Sequence, residues 1–107
     1  MRFESIDCYK LTVGLNDKDL YAQIVGTNDA ENQIRNLIVK NDCGCTISHS
    51  IGAWADEFGN VTKEVSLVIE INGTDDFTIE NICDEIKVLL NQNCVMVEKT
   101  VRQIAFV

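Results

Sequence analysis

The chain carries a single histidine, His49, and the nearby carboxylates that a hairpin would bring toward it are Glu64 and Glu70. His49 alternates with Ile47 and Ile51 and so falls on their side of an extended segment. An imidazole there either satisfies a backbone carbonyl in a core or interface, or serves as a general base or ligand. A bulge in the strand would instead turn it toward Glu64 or Glu70, which would orient and charge it. Cys43-Gly44-Cys45 with His49 four residues on offers soft-metal ligand types. In extended chain, however, those three side chains spread over about 20 Å. One tetrahedral zinc needs its ligands about 2.3 Å away. No metal site is expected. Cys43 also follows Asp42 and lacks the positive neighbours of a reactive thiolate.

Trp54, the lone tryptophan, lies close to Phe58, and with Tyr21 they form either a cap on the core or part of a binding pocket. The polar run Asn16-Asp17-Lys18-Asp19 lacks the glycine and closing glutamate of a calcium loop. There is no glycine-rich phosphate loop, no HExxH and no Ser-His-Asp signature. Nucleophilic catalysis is poorly supported, and no cofactor is implied.

These residues sit on 107 positions, enough for one domain, 1–107, with its own core. Nine Lys and Arg against seventeen Asp and Glu give a net charge of -8. That charge repels nucleic-acid phosphates and acidic membrane surfaces, so direct binding to either is not expected. Apolar runs are far shorter than the roughly 20 residues of a membrane span. Met1 to Asp7 shows no apolar export segment, and a cytoplasmic location is expected. Five cysteines cannot all pair within one chain; reduced thiols are expected, with Cys8, Cys45, Cys83 and Cys94 in apolar-patterned segments. Proline is absent, so every element can run unbroken.

Alternation at Tyr9, Leu11, Val13 and Leu15 predicts a first strand, ended by Asn16 to Asp19. Leu20 to Gly26 reads as a helical turn or an ordered loop. Asn28 with Glu31 suggests a capping box, and Ala30, Ile34, Leu37 and Ile38 follow at helical spacing up to the stop at Asn41 to Gly44. Cys45 to Trp54 is a second strand and Asp56 to Asn60 a hairpin loop. The third strand is the clearest: Val61, Lys63, Val65, Leu67, Ile69 and Ile71 face one way, and Thr62, Glu64, Ser66, Val68 and Glu70 the other. Thr74 or Asp75 then caps a second helix with an apolar stripe at Phe77, Ile79, Ile82, Cys83, Ile86, Leu89 and Leu90. Cys94 to Val107 is a last strand.

The order β-α-β-β-α-β, with right-handed crossovers, predicts an α+β ferredoxin-like sandwich. Four antiparallel strands in the order 4-1-3-2 carry both helices on one face. The other face is left polar, from Lys10 and Thr12 through Ser48, Ser66 and Glu70 to Glu98 and Arg102. Strands 2 and 4 are edges with few charges at their centres, which predicts a homo-oligomer, a dimer or a closed ring.

Several spacings carry a resemblance. They are Leu11 to Asp19 with Gln23, Gly44 to Ile47, Gly52-Ala53-Trp54 with Gly59, Glu64, and Leu89 to Gln92 with Val95. Together they resemble a family of small bacterial and phage ferredoxin-like domains of unknown function. The resemblance implies that Asn16, Asp17, Lys18, Gln23, Trp54, Glu64 and Gln92 matter beyond packing.

The leading expectation is a non-enzymatic, oligomeric binding or regulatory module whose ligand or protein partner meets Asn16, Asp17, Lys18, Tyr21, Gln23, His49, Trp54 and Glu64. One alternative is a dimeric α+β barrel enzyme acting on a small organic molecule, with the cavity between sheet and helices and a proton moved by His49 and Glu64. Another is an acidic, phage-type inhibitor of a basic nucleic-acid-binding protein, presenting Asp75, Asp76, Glu80 and Asp84.

Overall fold

The computed structural model describes residues 1–107. Its elements are β1 (Glu4–Gly14), α1 (Thr27–Lys40), β2 (Thr46–Ala55), β3 (Val61–Asn72), α2 (Asp76–Leu89) and β4 (Met96–Ile104). All three strand pairings are antiparallel, and the sheet order is β2-β3-β1-β4. This is the α+β ferredoxin-like arrangement that the sequence predicts, with β2 and β4 at the edges.

The period-two pattern sets which side is buried. Tyr9, Leu11, Val13 and Leu15 join Leu67, Ile69 and Ile71 in one cluster with Ala30, Ile34, Leu37 and Ile38 of α1 and Ile79, Ile82, Cys83 and Ile86 of α2. Both helices therefore cover the same face. Burying each of these Leu or Ile side chains favours folding by roughly 1.5–3 kcal/mol. The even-numbered strand residues point to the opposite, uncovered face.

Several boundaries differ from the sequence reading. β1 begins at Glu4 because its first residues pair with β4 through Glu4↔Ile104, a partnership that no local alternation reveals. Gly26 rather than Asn28 precedes α1, and no side chain caps that end. Glu31 forms the i,i+4 pair with Arg35 that its spacing predicts, at 3.0 Å, and also meets His49 at 3.1 Å. Asp75 caps α2 as expected, accepting the Thr78 N–H at 2.8 Å. Phe77 and Leu89 stand outside the buried stripe, and Cys94 is exposed. The last strand spans only Met96 to Ile104. No helix is long and apolar enough to cross a membrane.

Candidate functional site

Three connections meet at one end of the sheet: the chain leaving β1, the β2–β3 hairpin and the turn from α2 into β4. Between them lies a cavity of about 660 Å³, lined by Asn16, Asp17, Lys18, Tyr21, Trp54, Asp56, Glu57, Phe58, Thr62, Glu64, Gln92, Asn93 and Cys94.

Two of these connections are stapled together. Asp17 Oδ1 accepts the N–H groups of Asp19 and Leu20 at 2.9 and 3.1 Å, forming a tight turn. The Asn91 amide donates to Asp17 Oδ2 at 3.0 Å and to Asp19 Oδ2 at 2.9 Å. Asn91 itself takes φ 49°, a left-handed conformation that Asn tolerates well. Gln92 Nε2 donates to the Asn16 carbonyl at 2.7 Å. The Asn91 amide, more than any other group, holds the Asp17 carboxyl below the ordinary carboxylate range, helped by the Asp19 and Leu20 N–H groups. Asp17 is thus a wall-builder.

Glu64 lies on the open face, opposite Gly52 of β2. Its carboxylate folds over Gly14, and Oε2 accepts the Asn16 N–H at 2.9 Å. Leu15 N–H still reaches the Val65 carbonyl at 2.9 Å, so β1 leaves the sheet just where Glu64 takes over as acceptor. Across the cavity stand Tyr21, Trp54 and Phe58, respectively 80%, 50% and 80% exposed. Aromatic side chains left this open around a concavity mark a surface built to stack on something. The lining also carries the carboxylates Asp17, Asp56, Glu57 and Glu64 against the single ammonium of Lys18. An aromatic, acidic cavity of this kind suits a cation with a flat ring system.

Of the eight residues singled out from sequence, Asn16, Asp17, Lys18, Tyr21, Trp54 and Glu64 line this cavity. Gln23 does not; its amide donates to Val25 O at 3.0 Å and Thr27 Oγ1 at 2.9 Å, shaping the approach to α1. His49 also lies elsewhere. With Leu67 as its cross-strand partner it points to the helix side, where Nε2 meets Glu31 Oε1 at 3.1 Å. Glu64 points to the other face, so the expected His49–Glu64 proton relay is corrected: strand parity separates the two. The pairing with His49 in turn holds the Glu31 carboxyl below its usual range. The space between sheet and helices, where that relay was expected, is filled by the core.

The acidic row on α2 is largely spoken for. Asp75 caps the helix, and Asp84 pairs with Lys87 at 3.1 Å. Asp76 Oδ1 accepts Tyr9 O–H at 2.6 Å and Lys99 Nζ at 2.9 Å. Its bond to Asp76 is the main reason the Tyr9 hydroxyl is raised above its usual range.

Phe58 joins Trp54 and Tyr21 here in the pocket that was one of its two expected roles, whereas Thr62, Asp56, Glu57, Asn93 and Cys94 were not singled out as site residues. Their common signal is position: each lies at the same end of its strand or turn once the antiparallel order is fixed.

No protein-family model matches the sequence, and no curated protein matches it. Among solved structures, the chain is similar to a phage SAM lyase in complex with S-methyl-5'-thioadenosine. The TM-score is 0.68 at 17% identity, over 94% of this chain and 90% of that one. The same lyase in its apo state aligns with a TM-score of 0.63 at 18% identity, over 94% and 89% of the two chains. At this identity the likeness is one of fold. It nonetheless corrects the leading expectation of a non-enzymatic binding or regulatory module, because the neighbours that share this fold over nearly their whole length are enzymes acting on a small molecule.

Proposed function

We propose that this chain is an enzyme that cleaves a sulfonium substrate of the S-adenosylmethionine class, releasing S-methyl-5'-thioadenosine from the cavity around Glu64. The observation that carries the reading is the fixed Glu64 carboxylate facing three open aromatics, in a fold shared with a SAM lyase. The substrate is a cation with an adenine ring at one end and an amino acid at the other. Tyr21, Trp54 and Phe58 stack on the ring. Glu64, an acceptor-only group, takes the substrate's ammonium and holds the aminobutyrate arm bent.

Cleavage without water or a redox partner balances in one step. The substrate's own carboxylate oxygen bonds to the carbon γ to it, the bond from that carbon to sulfur breaks, and its electron pair stays on sulfur. The products are a neutral thioether and a five-membered aminolactone. Positive charge on sulfur and negative charge on the carboxylate vanish together, which an environment less polar than water favours. Holding the two reacting ends in contact is the main contribution the protein has to make.

The enzyme works as a homo-oligomer in this reading. The molecule measures 53 × 28 × 23 Å with a radius of gyration of 15.3 Å. A compact chain of this length comes to roughly 13 Å. The β2–β3 arm carries uncovered apolar surface: Ile51, on the helix side of the sheet, is 75% exposed. A second copy covering that arm and the β4 edge, where Val101 is 64% exposed, removes both liabilities.

Incubation of the purified protein with S-adenosylmethionine, followed by chromatography, tests the activity. Accumulation of S-methyl-5'-thioadenosine is expected; folded protein that leaves the substrate intact contradicts the reading.

A further inference from the structure

Gly14 ends β1 with its Cα on the open face, paired with Ser66. Its backbone is not in the left-handed region, unlike Gly59 and Gly73, so conformational freedom does not explain a glycine in this strand. Space does. A β-carbon built on Gly14 would stand 2.5 Å from the Glu64 carboxyl carbon, 2.5 Å from Oε2 and 2.6 Å from Oε1. Such contacts are far inside van der Waals range, where carbon atoms favour about 3.5–4.0 Å. Gly52, which faces Glu64 from the other neighbouring strand, differs: a β-carbon there would meet only the Glu64 backbone oxygen, at 3.9 Å.

We infer that Gly14 is the positioning residue for Glu64. The missing side chain leaves a seat in the sheet surface, and the Asn16 N–H fixes the carboxylate in it by donating to Oε2 at 2.9 Å. Glu64 and Ser66 follow the pleat on the same face, so the carboxylate lies diagonally across from Gly14, the arrangement in which cross-strand side chains on one face meet. A methyl group at position 14 evicts the carboxylate, because the far end of a glutamate moves more easily than two paired strands. Oriented acceptors lose effect steeply when displaced by about 1 Å. The catalytic consequence rests on the proposed function; the seating of Glu64 does not.

The test follows the Asn16 amide proton by NMR in wild type, Glu64→Ala, Gly14→Ala and Gly52→Ala, beside the rate of S-methyl-5'-thioadenosine release. The wild-type amide is expected downfield, as a proton donated to a carboxylate. Glu64→Ala and Gly14→Ala are expected to move it upfield to the same place, with Gly52→Ala matching wild type. In Gly14→Ala, kcat/KM falls ten-fold or more while circular dichroism stays that of the wild type; Gly52→Ala keeps its activity. An Asn16 signal in Gly14→Ala that stays at the wild-type position overturns the inference whatever the activity. A shifted signal with unchanged kcat/KM overturns its catalytic half. If wild type releases no product, the proposed function fails, and the amide shift alone still decides the seating.

Discussion

Asn91, in the turn after α2, donates its side-chain amide to the Asp17 carboxylate in the loop after β1, across 74 positions of sequence. That bond joins the two loops that wall the cavity. It also makes the wall sensitive to acid. The Asp17 carboxyl sits below its ordinary value of 3.8, so its contribution to stability is fully present above that value and is lost as pH falls through the lower, folded-state value. Asp17→Asn is expected to lower the melting temperature at pH 7, and the gap from wild type to close as pH drops below the ordinary carboxylate range. Thermal melts from pH 7 to pH 2 check this; a gap independent of pH contradicts it.

The two faces of the sheet are expected to respond differently to truncation. Leu11 is fully buried beneath the helices, and Leu11→Ala costs about 2–5 kcal/mol in urea unfolding. Val68, at the middle of the open face and only partly buried, costs less on the same change. Equal losses at the two positions would mean that the open face is packed as tightly as the core.

How much of this was legible in the sequence follows from what each feature depends on. The strands, the helices and the uncovered face are set by local periodicity: Leu67, Ile69 and Ile71 announce one side and Glu64, Ser66 and Val68 the other. The residues around Asn16 and Trp54 stood out by type. Glu64 over Gly14 did not, because that contact depends on the pairing register of β1 with β3 and runs diagonally. His49 lies on the side its alternation gives, but its partner was hidden for a related reason: Glu31 lies on a helix that packs on that side, and no spacing within the strand shows the pairing. The α1 start was misplaced because Asn28 and Glu31 satisfy a capping pattern while Arg35 in the same helix and His49 across the fold claim Glu31 instead.

His49 belongs to the link between β2 and α1, outside the cavity. His49→Ala is expected to leave product release within two-fold of wild type while lowering the melting temperature slightly. Loss of turnover in that variant, measured beside an intact fold, would return His49 to the chemistry.

Oligomerisation has its own test in Ile51, on the projecting arm. Native mass spectrometry of the wild type is expected to show more than one chain per particle, and Ile51→Lys to shift it toward monomer. A wild type that is monomeric at micromolar concentration contradicts the proposed assembly.

The most direct measurement is the initial rate of S-methyl-5'-thioadenosine release from S-adenosylmethionine by wild type and by Glu64→Gln, which keeps size and removes charge. The account predicts steady release by the wild type and a fall of roughly 100-fold in the variant, the scale of losing one preorganised polar contact in an active site. Equal rates for the two proteins, or no release by either when both are folded, would contradict it.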